Sequence, residues 1–276
     1  MPMNQRPFAF FPMPPERTTA KPRMKGLTMV MDWGMPIRLQ EDWMRLNAPY
    51  VDLMKIVVGT ARLYDTTYLK KKLDLYKSCE IAPFLGGQFL EYVLHAQGIA
   101  AVGPYCDEAK RLGVHAIEVS DNLVTLTPEE RQTVIRTAID CGLEVYGEVG
   151  SKFTSSDGDL LITQAQHCLQ AGARIVLIEG AELLRHGSPD LQLCRRLRTG
   201  LDIDRIMFEL GGPWIPETTV WSTYALRLFL IQTFGPDVNL ANIMPDLLLD
   251  TEATRVGLGD PLLSPEDMAA QSALRT

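Results

Sequence analysis

The sequence predicts a single α/β domain with the (β/α)8 TIM-barrel fold, and three observations carry that prediction. Eight short apolar runs follow one another along the chain, with helical patterns between them. Four glutamates recur within or at the end of such runs at intervals of 30, 31 and 30 residues: Glu118, Glu148, Glu179 and Glu209. Such an interval suits one strand, one helix and two loops. The glycine-rich motifs GxGxxG and GxxxxGK[ST], typical of open nucleotide-binding sheets, are absent from the sequence.

The apolar runs predict buried parallel strands, because such strands are covered on both faces. They cover residues 27–34, 51–59, 80–87, 115–122, 144–151, 174–180, 204–210 and 237–243. Residues 128–142 between two of them read as a helix, with acids in the first turn and glycine after the last. The segment after the seventh strand is long and rich in glycine and proline. Its Trp214 and Trp221 either line a pocket or pack that loop onto the rim.

The chain is expected to divide into an N-terminal Pro-rich arm (1–22), the barrel (23–260) and a short C-terminal tail (261–276). Prolines prevent regular structure in the arm, whereas Phe8, Phe10 and Phe11 are costly to leave in water. The arm is therefore expected to dock on its own barrel or on a neighbouring subunit, and a homo-oligomer is the expected assembly.

The charge and hydropathy patterns exclude several classes of partner. The net charge is −7, and no Lys/Arg-rich tract is present, which argues against nucleic acid or an anionic membrane surface. No apolar stretch approaches the roughly 20 residues of a membrane span, and no secretory signal precedes the barrel. A cytoplasmic location is the expectation. Neither the five cysteines nor the four histidines fall at the spacing of a zinc site.

Polar residues follow most of the predicted strands, and the carboxyl ends of barrel strands meet at one mouth, where this fold keeps its chemistry. A charge in an apolar strand is expensive to bury unless it is paired or holds a ligand. The sequence leaves two interpretations open, a Glu–Lys network that closes the barrel top and a functional site. The residues concerned are Asp32, Lys55, Glu118, Ser120, Glu148, Lys152, Glu179, Glu209, Asn239 and Asn242.

Oxygen ligands without histidine or cysteine favour a hard cation, magnesium above zinc or iron. Carboxylates, lysine and a divalent metal suit enolate chemistry, in which a lysine delivers or removes the proton at carbon. A Schiff base on Lys55 or Lys152 is the competing use. It is less favoured, because it needs an apolar pocket that lowers the lysine pKa, whereas the surrounding acids raise it.

Several phrases resemble the phosphosulfolactate synthase family over about residues 25–258, among them GLTMVMDWGMP, VDLMKIVVGT, LGVHAIEVSDN, EVYGEVGSK and FGPDVNLANI. The resemblance implies a TIM barrel that adds sulfite to phosphoenolpyruvate in a magnesium-dependent step, and thus a small anionic or enol-type substrate. It implies that Lys152 protonates the enolate carbon, with Glu148 in the same phrase. Lys55 would bind the substrate phosphate or carboxylate, and Arg255 matches an arginine of the C-terminal phrase.

The predicted site therefore has three parts. Its catalytic residues are Lys152 and Glu148, and its metal ligands are drawn from Asp32, Glu118, Glu179 and Glu209. The residues expected to bind substrate are Lys55, Ser120, Gly211, Gly212, Asn239, Asn242 and Arg255.

The chain departs from the family where basic residues are common, since it has Trp33, Ser151, Ala181 and Gly259 at those positions. The lysine-glutamine phrase after the seventh strand is replaced by GGPWIPETTVW. One alternative is therefore the same enolate chemistry on a less anionic substrate. Another is a non-catalytic homologue, as in the plant heat-stress-associated branch, although the retained acids and Lys152 count against it.

Overall fold

The computed structural model describes residues 7–8, 10, 17–152, 156–185, 187–216 and 218–259. The strands are β1 (Thr28–Asp32), β2 (Leu53–Ile56), β3 (Ala82–Leu85), β4 (Ala116–Val119), β5 (Glu144–Val149), β6 (Ile175–Ile178), β7 (Leu184–Arg185), β8 (Ser188–Pro189), β9 (Ile206–Glu209) and β10 (Leu240–Ile243). Eight parallel strands close into a barrel in the order β1-β10-β9-β6-β5-β4-β3-β2, and β7 and β8 form a small antiparallel hairpin outside it. The TIM barrel is confirmed, and each of its strands lies within a predicted run.

The helices are α1 (Ile37–Asn47), α2 (Thr66–Lys77), α3 (Gly87–Gln97), α4 (Val102–Leu112), α5 (Pro128–Asp140), α6 (Gly158–Ala171), α7 (Leu191–Gly200), α8 (Val220–Phe234) and α9 (Leu248–Arg255). The predicted helix at 128–142 is α5. It begins with a capping box, in which Thr127 accepts from the backbone N–H of Glu130 and the Glu130 side chain accepts from that of Thr127. None of the helices in the described part of the chain combines the length and apolar character that a bilayer span needs.

Alternation along the strands separates two apolar layers. Residues of one parity point outward and form the large core between strands and helices. Residues of the other parity fill the barrel interior, among them Leu53, Ala116, Tyr146, Leu177 and Met207. Two residues further along each of those five strands stands a charged residue, namely Lys55, Glu118, Glu148, Glu179 and Glu209. The fold therefore places a polar layer directly above an apolar one, at the carboxyl ends of the strands.

The amino end of the barrel carries a different set of charges. Arg17 Nε donates to Glu252 Oε1 at 2.8 Å, and Arg17 Nη1 to Asp237 Oδ1 at 3.1 Å. Arg23 pairs with Asp52 at 3.0 Å. These buried pairs join the residues before β1 to β2, to α9 and to the turn before β10. The described end of the predicted arm thus packs on its own barrel.

The rest of the predicted arm is described only in part. Phe8 and Phe10 are exposed, and Phe11 lies outside the described residues, as does the predicted tail. The proposed boundaries of arm and tail stay predictions.

Candidate active site

A cavity of about 150 Å³ opens at the carboxyl ends of the strands. That is well below the 300 to 1,000 Å³ typical of pockets for drug-sized ligands, so it suits a small metabolite. Its polar lining includes Lys55, Glu118, Glu148, Lys152, Glu209 and Asn242. Four of the five residues of the polar layer therefore line a single cavity, and Glu179 lies outside its lining.

Lys55 lies at the floor of this cavity and is held by its neighbours. Its Nζ is 2.7 Å from Glu118 Oε2 and 3.2 Å from Glu209 Oε1. Burial alone would lower the pKa of Lys55, but Glu118, Glu209 and Glu148 together raise that pKa above its ordinary value. Lys55 therefore stays an ammonium at neutral pH, which disfavours its use as a Schiff-base nucleophile.

Three buried glutamates offer an oxygen-only cation site. One carboxylate oxygen each from Glu118, Glu148 and Glu209 lies within 4.8 Å of the others. Burial raises the pKa of Glu118 to about 8, and the charges of Glu148 and Glu209 add to that effect against the attraction of Lys55. Burial also raises the pKa of Glu209 to about 7. The trio could bind a metal, because a cation would offset this crowding of carboxylates, and an all-oxygen set fits a hard cation.

Lys152 approaches the same carboxylates from the loop after β5. Its Nζ lies 3.7 Å from Glu179 Oε2 and 4.0 Å from Glu148 Oε1, and its side chain is 23% exposed. Burial opposes its charge, yet Glu148, Glu179 and Glu209 raise the pKa of Lys152. Lys152 is therefore a charged lysine held more loosely than Lys55, and its ammonium faces the cavity.

Glu182 anchors the loop that carries Lys152, a role that the residue pattern did not predict. This buried residue lies in the short 3-10 helix Gly180–Leu183. Its Oε1 accepts from Ser151 N at 2.9 Å and from Ser156 Oγ at 2.6 Å, and its Oε2 accepts from Ser156 N at 2.8 Å. The carboxylate thus holds both sides of the loop. Its partners are two backbone N–H groups and a hydroxyl that lie 26 to 31 residues away in the sequence, and no residue spacing reveals them.

The α3 side of the cavity holds a second unpredicted carboxylate. Glu91 is buried and accepts from Ser120 Oγ and from the backbone N–H of Leu123. Beside it, Gly87 N donates to Glu118 Oε1 at 2.8 Å, and a Cβ at Gly87 would collide with Ser120 Oγ. Ser120 therefore lines the cavity with its hydroxyl already donating to Glu91, and its contact with substrate stays a prediction.

Asp32 does not join the glutamate trio. Its Oδ2 lies 2.6 Å from Lys72 Nζ and accepts from Tyr76 at 2.7 Å, while its Oδ1 accepts from the backbone N–H groups of Gly34 and Met35 at 2.8 Å. The inward residues of β1 are Met29 and Met31, so the next residue points outward, towards α2. Both Asp32 oxygens are thus engaged away from the cavity, and we leave Asp32 out of the proposed metal site.

Asn239 and Arg255 lie at the opposite end of the barrel. Asn239 accepts from Leu27 N at 2.8 Å and donates to Ile206 O at 2.9 Å. Arg255 Nη1 donates to the carbonyl of Val238 at 2.7 Å. Ala241, not Asn239, stands beside Glu209 in the sheet, so the 30-residue step stops short of the mouth. Both residues hold the amino end together, and we leave them out of the proposed substrate contacts.

Asn242 is the residue of β10 that reaches the cavity. It adopts a positive φ of 59°, and its Oδ1 lies 3.5 Å from Lys55 Nζ. Its contact with substrate stays a prediction, while Asn239, three residues earlier, lies at the amino end of the barrel.

Two tryptophans from different loops meet at the mouth. The rings of Trp33 and Trp214 have centroids 5.7 Å apart at an interplanar angle of 39°, and both line the cavity. Gly211 and Gly212 do not line it but support this loop, since a Cβ at Gly212 would collide with the Trp214 ring. Trp221 instead stacks on Tyr224 and is 66% exposed. Trp214 therefore lines the cavity, which is one of the two expectations for this loop. Trp221 neither lines the cavity nor packs the loop onto the rim.

Comparison with known proteins agrees with this architecture. The chain is 33% identical to the phosphosulfolactate synthase of Methanothermobacter thermautotrophicus over 266 residues, covering 92% of this chain and 97% of the relative. It is 31% identical to that of Methanocaldococcus jannaschii, covering 85% and 92%. The protein HEAT-STRESS-ASSOCIATED 32 of Arabidopsis thaliana is 24% identical, with coverage of 80% and 82%.

Solved structures share the fold at low identity. The carboxyl transferase domain of Rhizobium etli pyruvate carboxylase with pyruvate and biocytin gives a TM-score of 0.61 at 15% identity, covering 91% of this chain and 47% of that chain. Residues 16–260 match the family described as (2R)-phospho-3-sulfolactate synthase (ComA). The chain therefore belongs to the (2R)-phospho-3-sulfolactate synthase family.

Proposed function

We propose that this chain is a lyase of the phosphosulfolactate synthase type. It adds a nucleophile, sulfite in the family, to phosphoenolpyruvate or a related unsaturated carboxylic acid. One observation carries the proposal: a loosely held lysine ammonium and an oxygen-only trio face one small cavity.

Lys152 is the proposed proton donor. Its raised pKa keeps it protonated at neutral pH, so it can deliver a proton to the substrate carbon as negative charge develops there. Glu148 and Glu179 hold the ammonium at 4.0 and 3.7 Å without the short hydrogen bonds that fix Lys55. Lys55 is then the group that orients a substrate oxygen, since Glu118 and Glu209 fix its position.

Glu118, Glu148 and Glu209 are the proposed metal ligands, with Mg²⁺ as the proposed ion. When bound, such a cation supplies electrostatic stabilisation of negative charge on substrate oxygens. The residues themselves argue for it. Lys55 and Lys152 contribute two positive charges against the four carboxylates of Glu118, Glu148, Glu179 and Glu209, and a divalent cation would neutralise that difference.

The test is turnover with Mg²⁺ and sulfite, using phosphoenolpyruvate, acrylate and 2-phenylacrylate as acceptors and mass spectrometry to detect the adduct. We expect an adduct with at least one acceptor and its loss in Lys152→Ala. Lys71→Ala is the matched control, because Lys71 is an exposed lysine outside the cavity. Absence of an adduct from all three acceptors, or full activity of Lys152→Ala, would contradict the proposal.

Homo-oligomeric assembly and a cytoplasmic location stay predictions of the sequence. The non-catalytic alternative has one distinguishing expectation, which is that neither Mg²⁺ nor any acid of this panel would raise the melting temperature.

A further inference from the structure

The charges around the cavity limit how anionic its ligand can be. Along the described lining, the cations are Lys55 and Lys152, and both already pair with glutamates. The same lining contains the carboxylates of Glu91, Glu118, Glu148 and Glu209. Residues 153–155, which follow Lys152 in the sequence, and residue 217 lie outside the described residues, and none of them is basic. A bound divalent cation would therefore bring the lining close to neutrality, with no arginine in the described lining left for a phosphate.

A phosphate ester is a costly ligand for such a cavity. Recognition of phosphate normally relies on charge-assisted hydrogen bonds from arginine or lysine. A phosphorylated carboxylic acid brings roughly 2.5 to 3 negative charges near pH 7, whereas a simple carboxylic acid brings one. The simple carboxylic acid is therefore the better match for Lys55, Lys152 and a single divalent cation.

The mouth of the cavity presents apolar side chains, whereas a phosphate group would need cationic ones. Trp33 comes from the loop after β1 and Trp214 from the loop after β9, and their ring centroids are 5.7 Å apart. Met31, Val57 and Val58 line the same cavity. Trp33 is 46% exposed. A planar apolar group could pack against this partly exposed tryptophan pair, because the group would be buried there and would gain ring contacts.

We propose that the acceptor is an unsaturated monocarboxylic acid with an aromatic or similarly apolar substituent in place of phosphate, which packs against Trp33 and Trp214. This inference rests on the proposed function. The nucleophile's lone pair forms the new bond at the β-carbon, and the π electrons of the double bond move towards the α-carbon and carboxylate. Lys152 then gives its proton to the α-carbon, and solvent reprotonates the amine. No group leaves, and no oxidant or reductant is consumed.

Equilibrium binding in the presence of Mg²⁺ tests this, with tryptophan fluorescence and melting temperature as readouts. The probes are 2-phenylacrylate and phosphoenolpyruvate. We expect 2-phenylacrylate to bind at least tenfold more tightly. Trp33→Ala and Trp214→Ala should weaken its binding about three- to tenfold, since one aromatic contact is lost. Trp33→Phe should recover most of the affinity, and Trp221→Ala is the matched control outside the cavity.

Three results would overturn the inference. These are equal or tighter binding of phosphoenolpyruvate, no detectable binding of 2-phenylacrylate, or equal effects of Trp33→Ala and Trp221→Ala. The inference and the proposed function fail in different ways. Lys152-dependent turnover of phosphoenolpyruvate without 2-phenylacrylate binding would sink only the inference. Tight, tryptophan-dependent binding of 2-phenylacrylate without any adduct would leave the pocket preference standing and sink the reaction.

Discussion

The ion pair between Asp32 and Lys72 can be used to test whether Asp32 stabilises the fold rather than binding a metal. Both side chains are fully buried, with Nζ 2.6 Å from Oδ2. Asp32→Asn keeps the shape but removes the charge, and leaves the ammonium with neutral partners such as Gln40 Oε1 at 3.1 Å. Breaking a buried pair from one side typically costs about 3 to 5 kcal/mol. We expect Asp32→Asn to lower the free energy of unfolding by about that amount.

Urea unfolding followed by circular dichroism measures this loss, and a double-mutant cycle assigns it. Lys72→Met should be destabilising alone, but the double variant should be more stable than the sum of the two single losses predicts by about 2 kcal/mol or more. The cause is that the double variant leaves no unpaired charge. Asp42→Asn is the matched control, because Asp42 sits in an exposed pair whose loss should cost under about 1 kcal/mol.

Two results would refute the reasoning. A loss below about 1 kcal/mol in Asp32→Asn would mean that the pair does not hold the α2 side of the barrel. The second is a variant of normal stability whose melting temperature no longer rises with Mg²⁺. That would make Asp32 a metal ligand after all.

Three further predictions concern the cavity and the amino end. Glu182→Ala should lower kcat about tenfold or more in a steady-state assay, because the loop that carries Lys152 loses its anchor. Gly87→Ala should abolish the rise in melting temperature with Mg²⁺, since the new methyl group displaces the neighbouring serine and Glu118. Glu144→Gln should destabilise the protein near pH 6 but little near pH 2. Burial of this carboxylate raises its pKa, but His115 and Arg174 outweigh that effect and lower the pKa of Glu144 to about 2. The contribution of that carboxylate is therefore complete above its unfolded pKa of about 4.5 and is lost as the pH falls towards 2.

The first two of these variants have matched controls within the chain. Glu41→Ala removes an exposed glutamate and should leave kcat unchanged. Gly103→Ala adds a methyl group to α4 in open space and should keep the Mg²⁺ response. For Glu144, urea unfolding at several pH values should show the gap to the unmodified protein narrowing as the pH falls. A stability gap that widens towards pH 2 would contradict the expected pH dependence of Glu144. A normal kcat in Glu182→Ala would contradict the role of Glu182 as the loop anchor.

The strands and the polar layer could be predicted from sequence because both follow from alternation within short apolar runs. Lys55 stands two residues after the inward Leu53, and Glu118 two after the inward Ala116. Asp32 breaks that rule, since it follows the inward Met31 by a single residue and so faces the helices. A shift of one residue changes the face, and the composition of the run does not show it.

What the sequence could not supply was register between strands and contacts made by loops. The step from Glu209 to Asn239 keeps the interval of 30 residues, yet the sheet pairs Glu209 with Ala241. Connection length, rather than spacing of like residues, decides which residue reaches the mouth. Glu182 and Glu91 were missed for a related reason. Their partners are backbone N–H and hydroxyl groups of distant loops, which only the folded chain brings together.

The arginine ion pairs at the amino end determine which parts of this protein can be altered without opening the barrel. Arg17 links the segment before β1 to Glu252 of α9, so the seam where the barrel closes is fastened at the face remote from the cavity. Loops such as the one bearing Trp214 can then be exchanged without loosening that seam. The same arrangement makes the barrel a suitable scaffold for grafting new loops at its mouth.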